Sequence, residues 1–303
     1  MVAAITDAQM PMPVTWHGGL DADLMDVMYP GLTAPRWRDG RLVFLLSPED
    51  PAALAWHYEI TGPDSAAIRY RMRGGLRWSD GVPITAHDVA WTYAMYADSA
   101  AASARMENVA LLDSVRAEDD STVVFHFARR YAGMLFDSGL SIAPRHVYRG
   151  TPAGELERHP VFGRLEELVV SGPFRVGSHE PGVRLTLVPN PHFRPRPRLD
   201  RIVIRTMPEA TQRAAELQAG RVDLARVLPF DLAVGLRRAR PDLAWERERG
   251  RYWEFIAYNP RTFPAFADAE VRRALTLAVN VRDIRLSLDM EEFTEQAVGP
   301  YSP

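Results

Sequence analysis

The sequence predicts an α/β fold in which strands and helices alternate along the chain. Three patterns indicate this. Residues 66–73 alternate apolar and charged side chains, as a half-buried strand does. Thr85-Ala-His-Asp88 has the form of a capping box, which begins a helix. Glu180-Pro-Gly182 is typical of a hairpin turn, and the alternation over 183–188 predicts its return strand. The long stretches between strands favour crossings between lobes over tight hairpins.

Each further element follows from similar signals. The helix that begins at Thr85 should run to about residue 97 and bury Val89, Ala90, Tyr93 and Ala94. Gly220 stands where a helix C′ glycine belongs, and acidic residues open the helix that begins at Asp268. The other predicted helices are 21–28, 209–219, 229–238 and 268–279. The other predicted strands are 121–127, 202–205, 222–225 and 252–258.

Composition excludes several classes of function. The chain has 303 residues and a formal net charge of -3, so no global field attracts nucleic acid or an anionic membrane. All 36 basic residues are arginine, which is interpreted either as codon bias or as anion-binding capacity. The absence of cysteine excludes disulfides, thiolate metal sites and a cysteine nucleophile.

Targeting segments are not evident from the sequence. No apolar run approaches the roughly 20 residues of a membrane-spanning helix. Residues 1–16 lack a basic region followed by an apolar one. We therefore expect that a secretory signal was removed, that the recorded start is internal, or that the protein is not exported.

No catalytic signature is present. The chain contains no G-x-S-x-G elbow, no H-E-x-x-H and no glycine-rich nucleotide loop, and its eight histidines are dispersed. We expect no catalytic residue, no metal site and no cofactor. An enzyme whose residues meet only in space remains the alternative, with a hydrolase as its example.

Five ordered segments carry a family resemblance. They are Leu76-Arg-Trp-Ser-Asp-Gly-Val-Pro-Ile-Thr-Ala-His-Asp-Val89, Pro144-Arg-His-Val147, Ser171-Gly-Pro-Phe-Arg-Val176 with Asn190-Pro-His-Phe193, Glu216-Leu-Gln-Ala-Gly-Arg-Val-Asp223, and Tyr258-Asn259 with Val271-Arg-Arg-Ala-Leu-Thr-Leu-Ala-Val279. Each resembles the matching segment of the family 5 extracellular solute-binding proteins, which include the oligopeptide- and dipeptide-binding components of ABC importers. Ser171 and Phe174 depart from the usual Gly or Thr and Tyr. Most of these segments are interpreted as turns and caps, not as ligand contacts.

The resemblance implies a two-lobe, periplasmic-binding-protein-like architecture of the class II or cluster C type, with an insert domain. Lobe I would comprise residues 1–35 and 166–255, and the insert domain residues 36–165. Residues 256–303 would begin lobe II. Family members run further, and Gly299-Pro-Tyr-Ser-Pro303 resembles one of their internal loops, so we expect lobe II to be truncated here.

The resemblance also implies a function without covalent chemistry. The protein would capture a di- or oligopeptide in the periplasm or at another extracytoplasmic site. It would act as a monomer and deliver its ligand to a membrane permease driven by a cytoplasmic ATPase. The same fold with another solute, such as a nickel chelate, haem, a sugar or an opine, is the alternative.

Two pocket candidates follow from the resemblance. The first is Trp16-His17-Gly18-Gly19, because relatives present an extended backbone edge here and glycine permits close approach. An ordinary turn before a helix is the alternative. Arg105 is the second, because relatives send a side chain from this segment toward the ligand, and arginine pairs with carboxylates. The alternative is a solvated surface arginine.

The predicted strand 252–258 supplies a third candidate. Its alternation places Tyr252, Glu254, Ile256 and Tyr258 on the more polar face, which we assign to the cleft. Glu254 would meet an amine, and Tyr258 would stack or hydrogen-bond. The alternative is that Trp253 and Tyr258 are core aromatic residues.

Overall fold

The protein forms two compact units, Met1–Pro208 and Glu209–Pro303. The computed structural model describes residues 1–4, 6–9, 12–16, 18, 20–38, 41–245, 256–288, 290–291 and 294. Helices and strands alternate along this part of the chain, which confirms the predicted α/β class. None of the helices in the described ranges is long and apolar enough to cross a membrane.

A mixed sheet forms one layer of the first unit. Its strands are β1 (Val2–Ala4), β8 (Phe174–Glu180), β9 (Arg184–Pro189) and β10 (Ile202–Thr206). β1 runs parallel to β10, whereas β10 with β9 and β9 with β8 are antiparallel. Gly182 turns the β8–β9 hairpin with a φ of 72°, a conformation that favours glycine. The predicted hairpin is therefore confirmed.

A second, antiparallel sheet has the strand order β4-β5-β7-β6. Its strands are β4 (Ala55–Thr61), β5 (Ala67–Met72), β6 (Leu112–Ala117) and β7 (Thr122–Phe127). A separate hairpin pairs β2 (Ala34–Arg38) with β3 (Arg41–Leu45). The sequence predicts β5 and β7, but β4 and β6 lack a clear alternating pattern and are found only in the structure.

Helix α2 (Ala86–Ala97) packs its inner face against β6 and β7. The predicted capping box is present, because the Asp88 carboxylate accepts the backbone N–H of Thr85 at 2.8 Å. Val89 and Tyr93 are buried as predicted. Ala94 is exposed, which corrects the prediction, because it lies about 140° around the helix from Val89.

Aromatic side chains form the centre of the first unit's core. The Tyr93 ring meets Phe125 edge-on with centroids 4.8 Å apart, and Phe125 meets Tyr70 in the same way at 5.6 Å. Both tyrosine hydroxyls have partners, since Tyr70 bonds Ser138 at 2.7 Å and Tyr93 donates to the Asp137 carbonyl at 2.9 Å. These two hydroxyls are therefore buried together with their hydrogen-bond partners.

Two of the motif segments meet each other. Trp78 is completely buried, and Gly81 closes its tight turn with a φ of 89°. Next to Trp78, Ser79 donates its N–H to the carbonyl of Val170 at 2.8 Å and accepts the Val170 N–H on its hydroxyl at 3.0 Å. These contacts confirm that the segment acts as a structural turn.

The remaining helices of the first unit are short except for α1. They are α1 (Leu20–Met28), α3 (Met134–Asp137) and α4 (Arg145–Tyr148). The Asp88 carboxylate joins α2 to α4 by accepting the backbone N–H of Arg145 at 3.0 Å. The predicted helix 21–28 is also confirmed, since α1 begins one residue earlier, at Leu20.

The second unit contains one short strand and four helices in its described part. They are α5 (Ala210–Gln218), β11 (Leu224–Ala225), α6 (Phe230–Ala239), α7 (Ala269–Ala278) and α8 (Val281–Ser287). Gly220 ends α5 in a Schellman motif, donating to Leu217 at 3.1 Å while Arg221 donates to Glu216 at 2.9 Å. Asp268 caps α7 by accepting the N–H of Glu270 at 2.8 Å. The predicted helices are confirmed.

The predicted strand 252–258 has a different outcome. Residues 252–255 lie outside the described residues. Residues 256–258 have no strand assignment. The prediction that one face of this strand lines a cleft therefore stays a prediction.

Candidate functional site

The chain segment before α1 leaves its backbone accessible at one point. A turn brings the N–H of Trp16 to the carbonyl of Met12 at 3.1 Å. Gly18 then has a φ of 113°, in the region that side chains disfavour, and a Cβ built there would meet nothing within 4 Å. Of the predicted site residues in this segment, His17 and Gly19 lie outside the described ranges.

Arg105 packs directly on this segment. Its guanidinium carbon lies 4.7 Å from the centroid of the Trp16 ring, and both side chains are half-buried. This is the geometry of a cation–π contact, which contributes about 0.5–2 kcal/mol depending on desolvation. Two candidates that are distant in sequence are thus brought together within one unit. The planar guanidinium carries N–H donors whose arrangement suits a carboxylate or a carbonyl.

A buried tyrosine of α2 lies close to Arg105. Tyr96 lies on the inner face of α2 and donates its hydroxyl proton to the carbonyl of Ser141 at 2.8 Å. Burial raises the pKa of Tyr96, and the positive charge of Arg105 opposes that rise. Arg105 therefore lies near the edge of the core, close to Tyr96.

The segment that carries Arg105 is anchored from the other side. Arg105 precedes a short 3₁₀ helix, Met106–Val109. Within that helix the Asn108 side chain donates to the Asp137 carboxylate at 3.0 Å. The Tyr131 hydroxyl donates to the same carboxylate at 2.6 Å. Burial and this carboxylate together raise the pKa of Tyr131, so the hydroxyl stays protonated as a donor.

Tyr258 contacts its own unit. Its ring meets Phe266 edge-on at a centroid distance of 5.3 Å, and its hydroxyl lies 3.3 Å from the hydroxyl of Thr276 on α7. Tyr252 and Glu254 lie outside the described residues. The structure thus joins Arg105 to the Trp16–Gly18 segment, and it gives Tyr258 partners that are internal to the second unit.

Sequence reasoning missed the supporting contacts. Neither the stacking of Arg105 on Trp16 nor the bond from Asn108 to Asp137 has a local sequence signal, because each joins distant parts of the chain. Glycine at position 18 was the usable signal, since its backbone conformation requires that residue.

Solved structures identify the class of fold. NikZ from Campylobacter jejuni, solved with Ni(L-His), aligns with a TM-score of 0.76 at 20% identity, over 95% of this chain and 54% of that one. AppA from Bacillus subtilis, solved with a nonapeptide, aligns with a TM-score of 0.67 at 23% identity, over 78% of this chain and 45% of that one. The predicted class is confirmed: the fold is that of the periplasmic solute-binding proteins.

The chain belongs to the bacterial extracellular solute-binding proteins, family 5, whose middle region matches residues 52–300. Among curated relatives, the oligopeptide-binding protein AppA of Bacillus subtilis is 28% identical over 245 residues, which are 78% of this chain and 43% of AppA. Protein XP55 of Streptomyces lividans is 32% identical over 244 residues, which are 78% of this chain and 42% of XP55. The chain spans less than half the length of these relatives.

Proposed function

We propose that this protein is the substrate-binding component of an ABC importer and that it captures peptides outside the cytoplasm. Membership of the family supports the transport role, and the likeness to the oligopeptide-binding AppA supports a peptide ligand. The protein would hand its ligand to a membrane permease whose ATPase drives uptake. Its work would be binding and release without covalent chemistry.

The observation that carries this proposal is the contact between Arg105 and Trp16 beside Gly18. A peptide offers carbonyl and carboxylate oxygens to arginine donors and a backbone edge to the accessible segment at Gly18. Gly18 allows the close approach of such a backbone. Arg105 would lie in the predicted insert domain (36–165) and Trp16 in the predicted lobe I (1–35 with 166–255).

The remaining predicted site residues complete this proposal. His17 and Gly19 would extend the backbone edge on either side of Gly18. Glu254 would bind an amine of the ligand, and Tyr252 and Tyr258 would contribute from the same side of the cleft. Lobe II, from residue 256, would close over the ligand and exclude water from it.

Calorimetric titration with peptides of two to nine residues tests the proposal. Arg105→Ala should weaken binding by about tenfold or more, because a charge-assisted hydrogen bond contributes about 1.5–3 kcal/mol. Arg105→Lys should recover part of the loss, since it keeps the charge but not the planar fork. Arg149→Ala, at an exposed arginine after α4, should leave binding unchanged. Absence of saturable binding to any peptide, together with turnover of peptides or esters, would overturn the proposal in favour of a hydrolase.

A nickel chelate is the second candidate ligand. The specific observation that favours it is the alignment with NikZ solved with Ni(L-His), which covers more of this chain than the alignment with AppA. Arg105 would then bind the carboxylates of the chelating molecule. Titration with the nickel–histidine complex and with free histidine, next to the peptide series, distinguishes the two ligands.

A further inference from the structure

One edge of the four-stranded sheet carries large exposed apolar side chains. β4 lies at the end of the strand order β4-β5-β7-β6. Trp56 is 52% exposed and Ile60 is 48% exposed, and both belong to β4. Unprotected edges of this kind are templates for pairing with another strand. The edge therefore suits an additional strand as its partner.

The pairing segment is bounded at its N-terminal side. Ala55 already donates its N–H to Leu32 at 2.9 Å and accepts the N–H of Ser47 at 2.9 Å. The register with β5 shifts between Ala55 and His57, so Trp56 occupies a bulge. Regular pairing at the outer edge is thus confined to residues 57–61.

The side chains of this segment are complementary to themselves in one antiparallel register. If Tyr58 pairs with Tyr58 of a second copy, His57 of each copy lies opposite Glu59 of the other. Both residues are exposed. Opposite-charge or hydrogen-bonding pairs across antiparallel strands contribute about 0.2–1 kcal/mol each. Because of the twofold symmetry, the contact between His57 and Glu59 would form twice in each dimer.

Neighbouring registers are less favourable. A register centred on Glu59 places two carboxylates directly opposite each other, and a register centred on His57 places two imidazoles opposite each other. Like charges directly opposite each other are destabilising, so the register centred on Glu59 is disfavoured. The carboxylate of Glu59 already lies 3.8 Å from Arg69 of β5, which holds it on the exposed face of the sheet. Charge therefore disfavours the register centred on Glu59, whereas the register centred on Tyr58 places unlike side chains opposite each other.

We infer that β4 is a self-association edge through which two copies of the chain pair antiparallel, centred on Tyr58. The two sheets would continue across the twofold axis, and Ile60 of each copy would be covered. Five paired residues bury less area than a stable dimer needs, so the assembly is weak and depends on concentration. This inference replaces the monomer expected from the family resemblance, and it does not depend on the identity of the ligand.

Cysteine cross-linking tests the register, because the chain has no cysteine of its own. The variants His57→Cys and Glu59→Cys, one of them carrying a size tag, are mixed under mild oxidation. We expect the mixed disulfide dimer to form several-fold faster than the dimer of either variant alone. Val183→Cys, at an exposed position in the β8–β9 turn, serves as the control partner and should cross-link slowly. Equal rates in all mixtures would overturn the register.

Sedimentation velocity tests the association itself. Over about a hundredfold range of concentration the protein should shift from monomer toward dimer. Ile60→Lys should abolish the shift, and Val183→Lys should retain it. A protein that stays monomeric throughout, or one whose dimer survives Ile60→Lys, would overturn the inference. A dimer that survives Ile60→Lys would show that the two copies associate through another surface.

Discussion

The carboxylate of Asp7 lies 3.0 Å from Nε2 of His179 and ties the chain segment that leads to Trp16 onto strand β8. The same carboxylate accepts the backbone N–H of Gly182 at 2.7 Å. Both side chains are largely shielded from solvent. The candidate site therefore rests on a segment that is fixed to the mixed sheet by one side chain.

Removal of this carboxylate should destabilise the protein. Asp7→Ala leaves the N–H of Gly182 without its acceptor and separates His179 from its partner. We expect a loss of about 0.5–1.5 kcal/mol in the free energy of unfolding, the net contribution of a typical hydrogen bond, because water can reach the exposed N–H of Gly182. Urea denaturation measures it. Asp200→Ala removes a carboxylate whose side chain is 96% exposed and should change stability by less than about 0.5 kcal/mol. Equal losses for the two variants would contradict this assignment.

A close backbone approach explains the glycine of the Ser171-Gly-Pro-Phe motif. The N–H groups of Ser171 and Gly172 both donate to the carbonyl of Met28 at the end of α1, at 3.1 and 2.8 Å. A methyl group on Gly172 would overlap the carbonyl oxygen of Val27. Glycine is therefore needed at position 172 because a side chain would not fit there, and not because the backbone has a positive φ.

Gly172→Ala should accordingly cost about 1–3 kcal/mol, because neither backbone can move without breaking these bonds. Thermal and urea unfolding monitor the loss. Gly163→Ala is the matched control, since a Cβ there would meet nothing within 4 Å. If the two alanine variants were equally stable, the close packing of this motif on α1 would be wrong.

The extent to which the fold could be predicted depends on whether its signals are local. The capping box of α2 and the glycine that ends α5 were predictable, because Thr85, Asp88 and Gly220 each form hydrogen bonds with groups only a few residues away in the chain. β4 was not predictable, since residues such as Trp56 and Ile60 are exposed and its pattern does not alternate cleanly. The predicted buried face of α2 wrongly included Ala94, because the rotation of the helix turns this side chain outward.

The candidate site was predictable only in its parts. Glycine at position 18 and an arginine at position 105 could be named from the sequence, but their proximity depends on how the first unit packs. Arg105 lies over the Trp16 ring, and the segment that carries it is bonded to Asp137, which no spacing rule connects to position 105. Long-range contacts of this kind carry no local pattern.

Loss of the Asn108 anchor should weaken ligand binding without unfolding the protein. Asn108→Ala removes the bond to Asp137 and frees the 3₁₀ helix that follows Arg105. A typical hydrogen bond contributes about 0.5–1.5 kcal/mol, so we expect an approximately threefold to tenfold rise in the dissociation constant of whichever solute the protein binds. Calorimetric titration measures it.

The control for this variant is Glu107→Ala, at an exposed position in the same 3₁₀ helix. It should leave both binding and stability unchanged. An unaltered dissociation constant for Asn108→Ala, with a normal loss for Arg105→Ala, would show that the anchor does not position Arg105.

Buried tyrosines should make the protein sensitive to alkali. In addition to Tyr131, five buried tyrosines of the first unit have a pKa that burial raises above the ordinary value of 10.0: Tyr29, Tyr70, Tyr93, Tyr96 and Tyr148. Below that pH both the folded and the unfolded chain keep these protons, so stability is fully present. Above it the unfolded chain loses protons that the folded chain retains, and the free energy of unfolding must fall as pH rises.

Urea denaturation between about pH 8 and about pH 11 should show this decline. The ultraviolet absorbance of phenolate should then appear in two stages, first from accessible tyrosines and later together with unfolding. Tyr148→Phe removes one group that titrates only in the unfolded chain, so stability should fall less steeply with pH in this variant. If all ten tyrosines of the chain ionised together near their ordinary pKa while the protein stayed folded, their hydroxyls could not be enclosed in the aromatic core described above.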